Sequence, residues 1–442
     1  MNNVTIVGGG PVGSLLALLL AKQGRHVTVY ERRDDPRTTT PERGRSINLA
    51  LAARGLRALA AADALTALQP LMTAMPGRIL HDENGQTRFM PYGQHPEEIN
   101  WSISRAEISR ALVTLAGKQE GVSLHFNQRC LNIDPDSGTL QFHDQRRGIE
   151  HTVHAGTIIA ADGAGSAVRG ALEQRQSCQS TEDLLAHDYK ELSIPARADG
   201  SHCMDPHGLH IWPRGEFMCI ALPNADGTFT ATLFMPRSGP VSFDSLRDAA
   251  AVRAFFTAQF PDLLALVPDL ETQFAEHPQG GLATLHCWPW HTGNTLLIGD
   301  AAHAIVPFHG QGLNCGFEDC LLLDRLLAQH ETAAAAFREY ESARRLDTDA
   351  IAQMALENYL EMRDTVRRSD YALRRELALE LERRYPRQFV PRYSMVMFHP
   401  EISYSEALHR GQTQERVLDA LIAEGVSAAS ERAAVLIRDA GL

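Results

Sequence analysis

The sequence predicts an α/β fold: a parallel-sheet nucleotide-binding domain, interrupted by an inserted and mostly antiparallel sheet, and followed by a helical C-terminal region. Three observations predict it. A glycine-rich turn, Gly8-Gly9-Gly10-Pro11-Val12-Gly13, joins an apolar strand to an apolar helix near the start of the chain. A second short apolar strand, Thr295 to Ile298, ends far along the chain in Gly299-Asp300. Between them, from about residue 185 to 285, apolar and polar residues alternate in short runs punctuated by Pro and Gly, whereas from about residue 335 onward Ala, Leu, Glu and Arg recur at helical spacing.

The first unit is read in order. Val4 to Val7 is a strand, Ser14 to Ala21 a helix, and His26 to Tyr30 a second strand that ends at Glu31. Strand, G-x-G-x-x-G, helix, strand and acid within about 30 residues make up the dinucleotide-binding fingerprint of a Rossmann-like domain. Gly8 permits the tight turn, Gly10 lets the backbone approach a pyrophosphate, and Gly13 lets the helix pack on the strand. The helix N-terminus offers N–H groups and partial positive charge to the phosphates. Glu31 suits ribose hydroxyls and disfavours a 2′-phosphate. The fingerprint alone does not separate NAD from FAD. An acid just after a buried strand late in the chain, Asp300, suits the ribityl chain of a flavin, so the pair of motifs points to FAD in a domain of the glutathione-reductase type.

Residues 106 to 117 read as a helix, 123 to 133 as one strand, and Thr157 to Ala161 as a short strand ending at Asp162-Gly163. His210 to Trp212, Phe217 to Leu222 and Thr228 to Met235 read as strands of the inserted sheet. A long helix begins near Leu313 and runs through Leu327, and a Pro-punctuated loop, Tyr385 to Pro400, interrupts the helical tail. The expected domains are therefore 1–184 with 286–334 for FAD, 185–285 for the substrate-binding sheet, and 335–442 for the helical region. Gly310 and Gly312 would bring backbone close to a flavin ring. The N-terminus of the long helix would face the N1–C2=O edge, where negative charge collects on reduction. Arg43 and Arg45 could meet the pyrophosphate or simply sit in a solvated loop; for Arg105, at the start of a helix, a surface position is the default and a cofactor contact the alternative. His303 and His309 have no third ligand at metal-binding spacing and read as structural or pocket-lining histidines; no metal is expected.

Composition bounds the partners. The 442 residues suffice for two or three domains with substantial cores. A net charge of −12 argues against a nucleic-acid partner, which needs a basic face. Seven cysteines without a C-x-x-C pair read as reduced thiols in a cytoplasmic protein. The longest apolar run, Leu15 to Ala21, is too short to span a bilayer, and neither signal peptide nor membrane anchor is expected. A monomer or homodimer is the expected assembly.

These residues together resemble the class A flavin-dependent aromatic hydroxylases, which share the p-hydroxybenzoate hydroxylase fold, and within them the enzymes that act on L-kynurenine. The resemblance is carried by 44–50, Pro91-Tyr92-Gly93, Ser102 to Arg105, Leu209 to Arg214, Leu233 to Pro236, Gly299 through Asp319, Asn358 to Arg363 and Tyr393 to Phe398. It implies FAD contacts at Val12, Glu31, Arg32, Ala50, Arg105, Cys130, Asp162, Asp300, Leu313 and Asn314. It implies substrate contacts at Arg78, Tyr92, Asn358 and Tyr393, in a pocket lined by Phe234, Pro307, Phe308 and His309. The implied reaction is conversion of L-kynurenine and O₂ to 3-hydroxy-L-kynurenine in tryptophan catabolism, with NADPH as a transient co-substrate and a flavin C4a-hydroperoxide carrying the oxygen. The aniline nitrogen of the substrate already activates the ring carbon, so no general base is expected. No second glycine-rich βαβ unit marks an NADPH dock. Two other readings stay open: a hydroxylase of the same class acting on a substituted kynurenine or another aromatic acid, and a non-catalytic flavin-binding redox sensor.

Overall fold

A computed structural model describes residues 2–39, 48–363 and 371–442. The chain divides into two compact units. The first comprises Met1–Met72, Ile103–Leu185 and Gly281–Arg345, and the second Thr73–Ser102, Ala186–Gly280 and Leu346–Leu442.

The first unit is built on a six-stranded sheet in the order His291–Thr292, Thr295–Leu297, Ile158–Ala160, Asn3–Val7, His26–Tyr30, Val122–His125. All neighbours are parallel except the short first strand, which is antiparallel to its neighbour. The central strands are apolar because helices bury them; Ile6, Ile159 and Leu297 are fully inaccessible. The helix Pro11–Lys22 starts with Pro at its first position, where a missing N–H costs nothing, and buries Leu15, Leu16 and Leu20 completely. The register aligns Val7 with Ala160 and Tyr30, and Ala160 with Leu297. Four strands distant in sequence thus end side by side. Residues 123–133, expected as one strand, form two: Val122–His125 in this sheet and Gln128–Asp134 in a separate antiparallel sheet. The break falls at Asn127, whose φ of +61° no strand accommodates.

In the second unit, the strand Gln179–Ile194, which enters this unit at Ala186, pairs antiparallel with Phe229–Pro236. Met218–Pro223, Leu209–Pro213, Gly77–His81 and Thr87–Pro91 follow in order. The sheet is antiparallel except between Leu209–Pro213 and Gly77–His81, which run parallel. Strand alternation divides its faces. One face presents Leu192, Trp212, Cys219, Ala221, Ala231, Leu233 and Met235 to Val252, Phe256 and Phe260, on and just after the helix Ala249–Gln259. Sequence reading had not anticipated that helix. The opposite face carries Arg78, Leu209, Ile220 and Phe234. The expected loop 385–400 contains a short helix, Arg392–Phe398, which buries Met395 and Val396 completely.

Candidate active site

Because the parallel strands of the first unit end together, the turns that follow them are neighbours, as expected for ligand sites at the carboxyl edge of such sheets. Gly8 follows Val7, Glu31 follows Tyr30, Asp162 lies two residues after Ala160, and Asp300 three after Leu297. The backbone is tight where the fingerprint demands it. A Cβ on Gly8, whose φ is +105°, would lie 2.4 Å from the Ala161 carbonyl, and a Cβ on Gly13 would lie 2.0 Å from the Gly8 carbonyl. A Cβ on Gly10 would meet nothing within 4 Å, so the turn is open at the position that should approach a pyrophosphate.

The carboxylates are held by backbone amides. Glu31 is buried, and its two oxygens accept the N–H groups of Gly9 (2.7 Å) and Arg33 (2.9 Å). A carboxylate has about four lone-pair sites, so ribose hydroxyls still find acceptors there. Asp162 Oδ2 accepts from Ala167 N–H (2.8 Å) at the start of the helix Ala167–Gln174. Its Oδ1 is buried without a partner, and burial pushes its pKa up, as befits an acceptor awaiting a donor. The nearby Cys130 thiol is pushed up to about 12 by burial and by Asp162. Asp300 is exposed at the first position of the helix Asp300–His303. Arg32 and Arg105 are exposed, and Arg105 opens the helix Arg105–Ala116. Residues 43 and 45 lie outside the described residues.

Val12 joins the two distant motifs. A Cβ on Gly299 would lie 3.5 Å from Val12 Cγ1, and one on Gly316 would lie 2.8 Å from Val12 Cγ2. Gly299 precedes Asp300, and Gly316 sits in the helix Gly312–Gln329, so the glycine-rich turn packs directly on the Gly-Asp segment. Asn314 is fully buried and spends its amide on backbone. Nδ2 donates to Ala50 and Gly310 carbonyls (2.8 Å each), and Oδ1 accepts from Ala52 N–H (2.9 Å). That side chain therefore ties strand Asn48–Leu51 to the helix entry, and Gly312 and Leu313 are left half-buried at the helix N-terminus.

One cluster was invisible in the sequence. Asp319 is completely buried and accepts from His303 Nε2 (2.8 Å), Arg344 Nε (2.8 Å) and Gly299 N–H (3.1 Å). Burial pushes its carboxyl up, but the His303 and Arg344 partners outweigh that and hold it at about 2. His303, thought to lack neighbouring ligands, thus has Cys315 and Asp319 beside it, their ligating atoms within 4.8 Å of one another. Arg344 also donates to Cys315 Sγ (3.1 Å), so a guanidinium already supplies the positive charge. The cluster is an ion-pair network that fixes the Gly299 turn. Pro307 is exposed, while Phe308 and His309 are buried in the turn Pro307–His309 just before this helix.

In the second unit the sheet face opposite the core carries a different chemistry. Arg78 is buried, with Nη1 3.2 Å from Glu361 Oε1 and Nε without a partner among the described residues. Its guanidinium carbon lies 4.8 Å from the Tyr393 ring centroid and 5.7 Å from that of Tyr92. The two rings stack at 5.3 Å, and Asn100 Nδ2 donates to the Tyr393 hydroxyl (3.1 Å). Burial pushes the Tyr92 hydroxyl well up, so it stays a proton donor. Glu361 also accepts from the Tyr371 hydroxyl (2.9 Å), and Arg78 holds it ionised against the effect of burial. Asn358 is buried, with Nδ2 3.3 Å from Met362 Sδ; Phe234 is buried beside Tyr189. The structure thus brings Arg78, Tyr92 and Tyr393 together. It adds Glu361, Tyr371 and Asn100, which sequence reading missed. Glu361 lay within the segment Asn358 to Arg363 that was singled out, and its turn-spacing from Asn358 was the available signal.

The family described as FAD binding domain matches residues 1–355. A kynurenine 3-monooxygenase of Xanthomonas axonopodis pv. citri (strain 306) is 48% identical over 417 residues, covering 94% of this chain and 91% of that protein. The chain belongs to the kynurenine 3-monooxygenase family. A second member, from Stenotrophomonas maltophilia (strain K279a), is 46% identical with the same coverage. Solved structures similar to this member of the family include 2-methyl-3-hydroxypyridine-5-carboxylic acid oxygenase, at a TM-score of 0.67 and 21% identity over 91% of this chain and 98% of that one. Another is p-nitrophenol 4-monooxygenase from Pseudomonas putida DLL-E4, at a TM-score of 0.65 and 20% identity over 85% and 92%. At such identities these two speak for the fold alone. Among the described residues no helix is long and apolar enough to cross a membrane.

Proposed function

We propose that this protein is an FAD-dependent monooxygenase that converts L-kynurenine, O₂, NADPH and a proton to 3-hydroxy-L-kynurenine, NADP⁺ and water. The buried Arg78, beside two stacked tyrosines and with an Nε that has no partner among the described residues, is the observation that carries the substrate class. A buried guanidinium binds a carboxylate tightly, and the tyrosine rings offer an aromatic amino acid both faces and hydroxyl donors. The first unit is the proposed FAD-binding part; in the second unit, 73–102 and 186–280 form the proposed substrate-binding sheet, with Arg78 and Tyr92 on it, and 346–442 supplies Asn358 and Tyr393.

FAD, when bound, accepts hydride from NADPH and activates O₂ for transfer to the ring. The chain's own residues do the rest. Open backbone at Gly10 and the N-terminus of Pro11–Lys22 receive the pyrophosphate; Glu31 takes ribose hydroxyls; the free Asp162 Oδ1 and the exposed Asp300 accept hydroxyl donors from the cofactor. Gly312, Leu313 and Asn314 aim helix N–H groups at developing negative charge. Arg78 and Tyr92 hold the substrate carboxylate, and Asn358, Tyr393 and Phe234 of the same unit orient the substrate and keep water from it. No side chain is assigned as a general base, because the substrate's aniline nitrogen donates electron density to the carbon attacked. The proposal includes a cytoplasmic monomer or homodimer.

The test is NADPH oxidation by the FAD-loaded protein with and without L-kynurenine, scored against hydroxylated product. Kynurenine-stimulated oxidation matched by 3-hydroxykynurenine is expected. A flavin-replete protein that forms no such product, while hydroxylating other aromatic acids or nothing, overturns the assignment.

A further inference from the structure

Asn100 is a polar residue where an apolar one would cost less. It opens the strand Asn100–Ser104 and is 1% exposed. Its Nδ2 donates to the Tyr393 hydroxyl at 3.1 Å. Its Oδ1 is buried and has no partner among the described residues. A buried acceptor without a donor lowers folding stability, and a leucine of nearly the same size would avoid that loss. Asn100 and Tyr393 both belong to the second unit.

The bond sets the polarity of a hydroxyl. A tyrosine hydroxyl can donate or accept, whereas an amide nitrogen only donates. Facing Nδ2, the Tyr393 oxygen must accept, and its own proton goes to another acceptor. The same Tyr393 ring lies under the Arg78 guanidinium, 4.8 Å from its carbon, and Arg78 Nε has no partner among the described residues. A carboxylate drawn to Arg78 accepts hydrogen bonds and offers none. It can use the Tyr393 hydroxyl only as a donor, and that is the direction Nδ2 enforces. With the amide turned over, Oδ1 would take the tyrosine proton and leave the carboxylate facing lone pairs.

We propose that Asn100 is a positioning residue that holds the Tyr393 hydroxyl as a donor to the substrate carboxylate and so raises the affinity for kynurenine. It acts through Tyr393. The stranded Oδ1 is the stability given up to make that hydroxyl point one way. The inference rests on the proposed function, in which Arg78 anchors the same carboxylate.

The experiment uses the full FAD-loaded chain without NADPH. Kynurenine binding is read from the change in flavin absorbance, and folding stability from the denaturant midpoint. Four chains form a cycle: wild type, Asn100→Leu, Tyr393→Phe and the double variant. Asn100→Leu should bind kynurenine about 3- to 10-fold more weakly, the effect of one hydrogen bond. Its midpoint should be unchanged or higher, because the stranded acceptor has gone. In the Tyr393→Phe background there is no hydroxyl to orient, and Asn100→Leu should change the affinity by less than about twofold. A residue that merely filled space would lower the midpoint and weaken binding equally in both backgrounds. Asn100→Ala, which cannot crowd the strand, repeats the cycle should leucine not fit. Undiminished kynurenine affinity in the Asn100 variants, or an equal loss in both backgrounds, overturns the proposal while leaving the function standing. A wild-type chain that binds FAD but not kynurenine overturns the function, and this inference with it.

Discussion

In the first unit, the acidic groups of the turns that follow the parallel strands are held by main-chain amides: Gly9 and Arg33 N–H on Glu31, Ala167 N–H on Asp162. In the second unit, the charged site is assembled from side chains alone: Arg78 against Glu361, Tyr92, Tyr393 and Tyr371. A site made of backbone constrains the sequence through space, because a single methyl group can collide with a carbonyl. A site made of side chains constrains it through charge, because removing one partner strands the other. The two units should therefore fail differently.

The largest effects should come from stranded charge. Arg78→Ala leaves Glu361 without its cation and, on the proposed function, the substrate carboxylate without its anchor. Loss of a buried ion-pair partner costs about 3–5 kcal/mol, which corresponds to roughly 10²–10⁴ in kynurenine affinity. Flavin content should be unchanged, as measured by absorbance per protein; tight kynurenine binding in this variant would break the comparison. Asp319→Ala is the counterpart in the first unit. It removes the carboxylate that His303 meets and one of the two that Arg344 holds, the other being Glu318 (2.8 Å), and should lower folding stability by about 3 kcal/mol, the low end for a broken buried pair, read from denaturant unfolding of the flavin-loaded protein. An unchanged midpoint would mean that the network contributes nothing.

Next comes the spatial constraint. Gly13→Ala places a methyl 2.0 Å from the Gly8 carbonyl, whereas Gly10→Ala meets nothing. Overpacking of this kind costs about 1–3 kcal/mol, sometimes more. The apo-protein should melt lower for Gly13→Ala and unchanged for Gly10→Ala, while both should retain less FAD. Equal melting points would remove the steric argument.

The smallest and most graded effect concerns acid. Behind the sheet of the second unit, His210 bonds to His81 (2.8 Å) and to the Asp205 carbonyl (2.8 Å), while His81 meets Asp262 at 3.0 Å. Burial holds His210 down at about 4. Its folded pKa lies below the unfolded value, so the stability it contributes is fully present above about pH 6.5 and is lost as pH falls toward 4. The loss is up to about 3 kcal/mol. Asp262 and Asp319, each held at about 2, lose their contributions only from about pH 4 downward. Acid should thus loosen the second unit before the first. His210→Asn should flatten the stability profile between pH 6.5 and 4; an unchanged slope would mean that His210 contributes nothing to it.

The same contrast explains what could be read from the sequence. Gly8, Gly13 and Glu31 act within one βαβ unit, where spacing dictates geometry, so their placement was legible. The meeting of Val12 with Gly299 was legible only because each motif had a known partner. Glu361, Tyr371, Asp319 and Arg344 were not. Each finds its partner through tertiary packing, Arg78 to Glu361 across 283 positions, and no local periodicity encodes such a distance. The break at Asn127 was missed because it depends on one residue's dihedral rather than on a change in apolar pattern. The helix Ala249–Gln259 was missed because it is short and lies inside an interval whose other segments alternate as strands.

The order of strands in the parallel sheet bears on how the protein is made. Asn3–Val7 lies between Ile158–Ala160 and His26–Tyr30, and Thr295–Leu297 is added beyond Ile158–Ala160. The opening strand emerges first from the ribosome but acquires its inner neighbour only after more than half of the FAD-binding sequence is translated, and Asp300 appears later still. Such long-range pairing slows folding and leaves apolar edges waiting. Nascent chains stopped before Leu297 should therefore depend on chaperones and capture no flavin, however complete their glycine-rich turn.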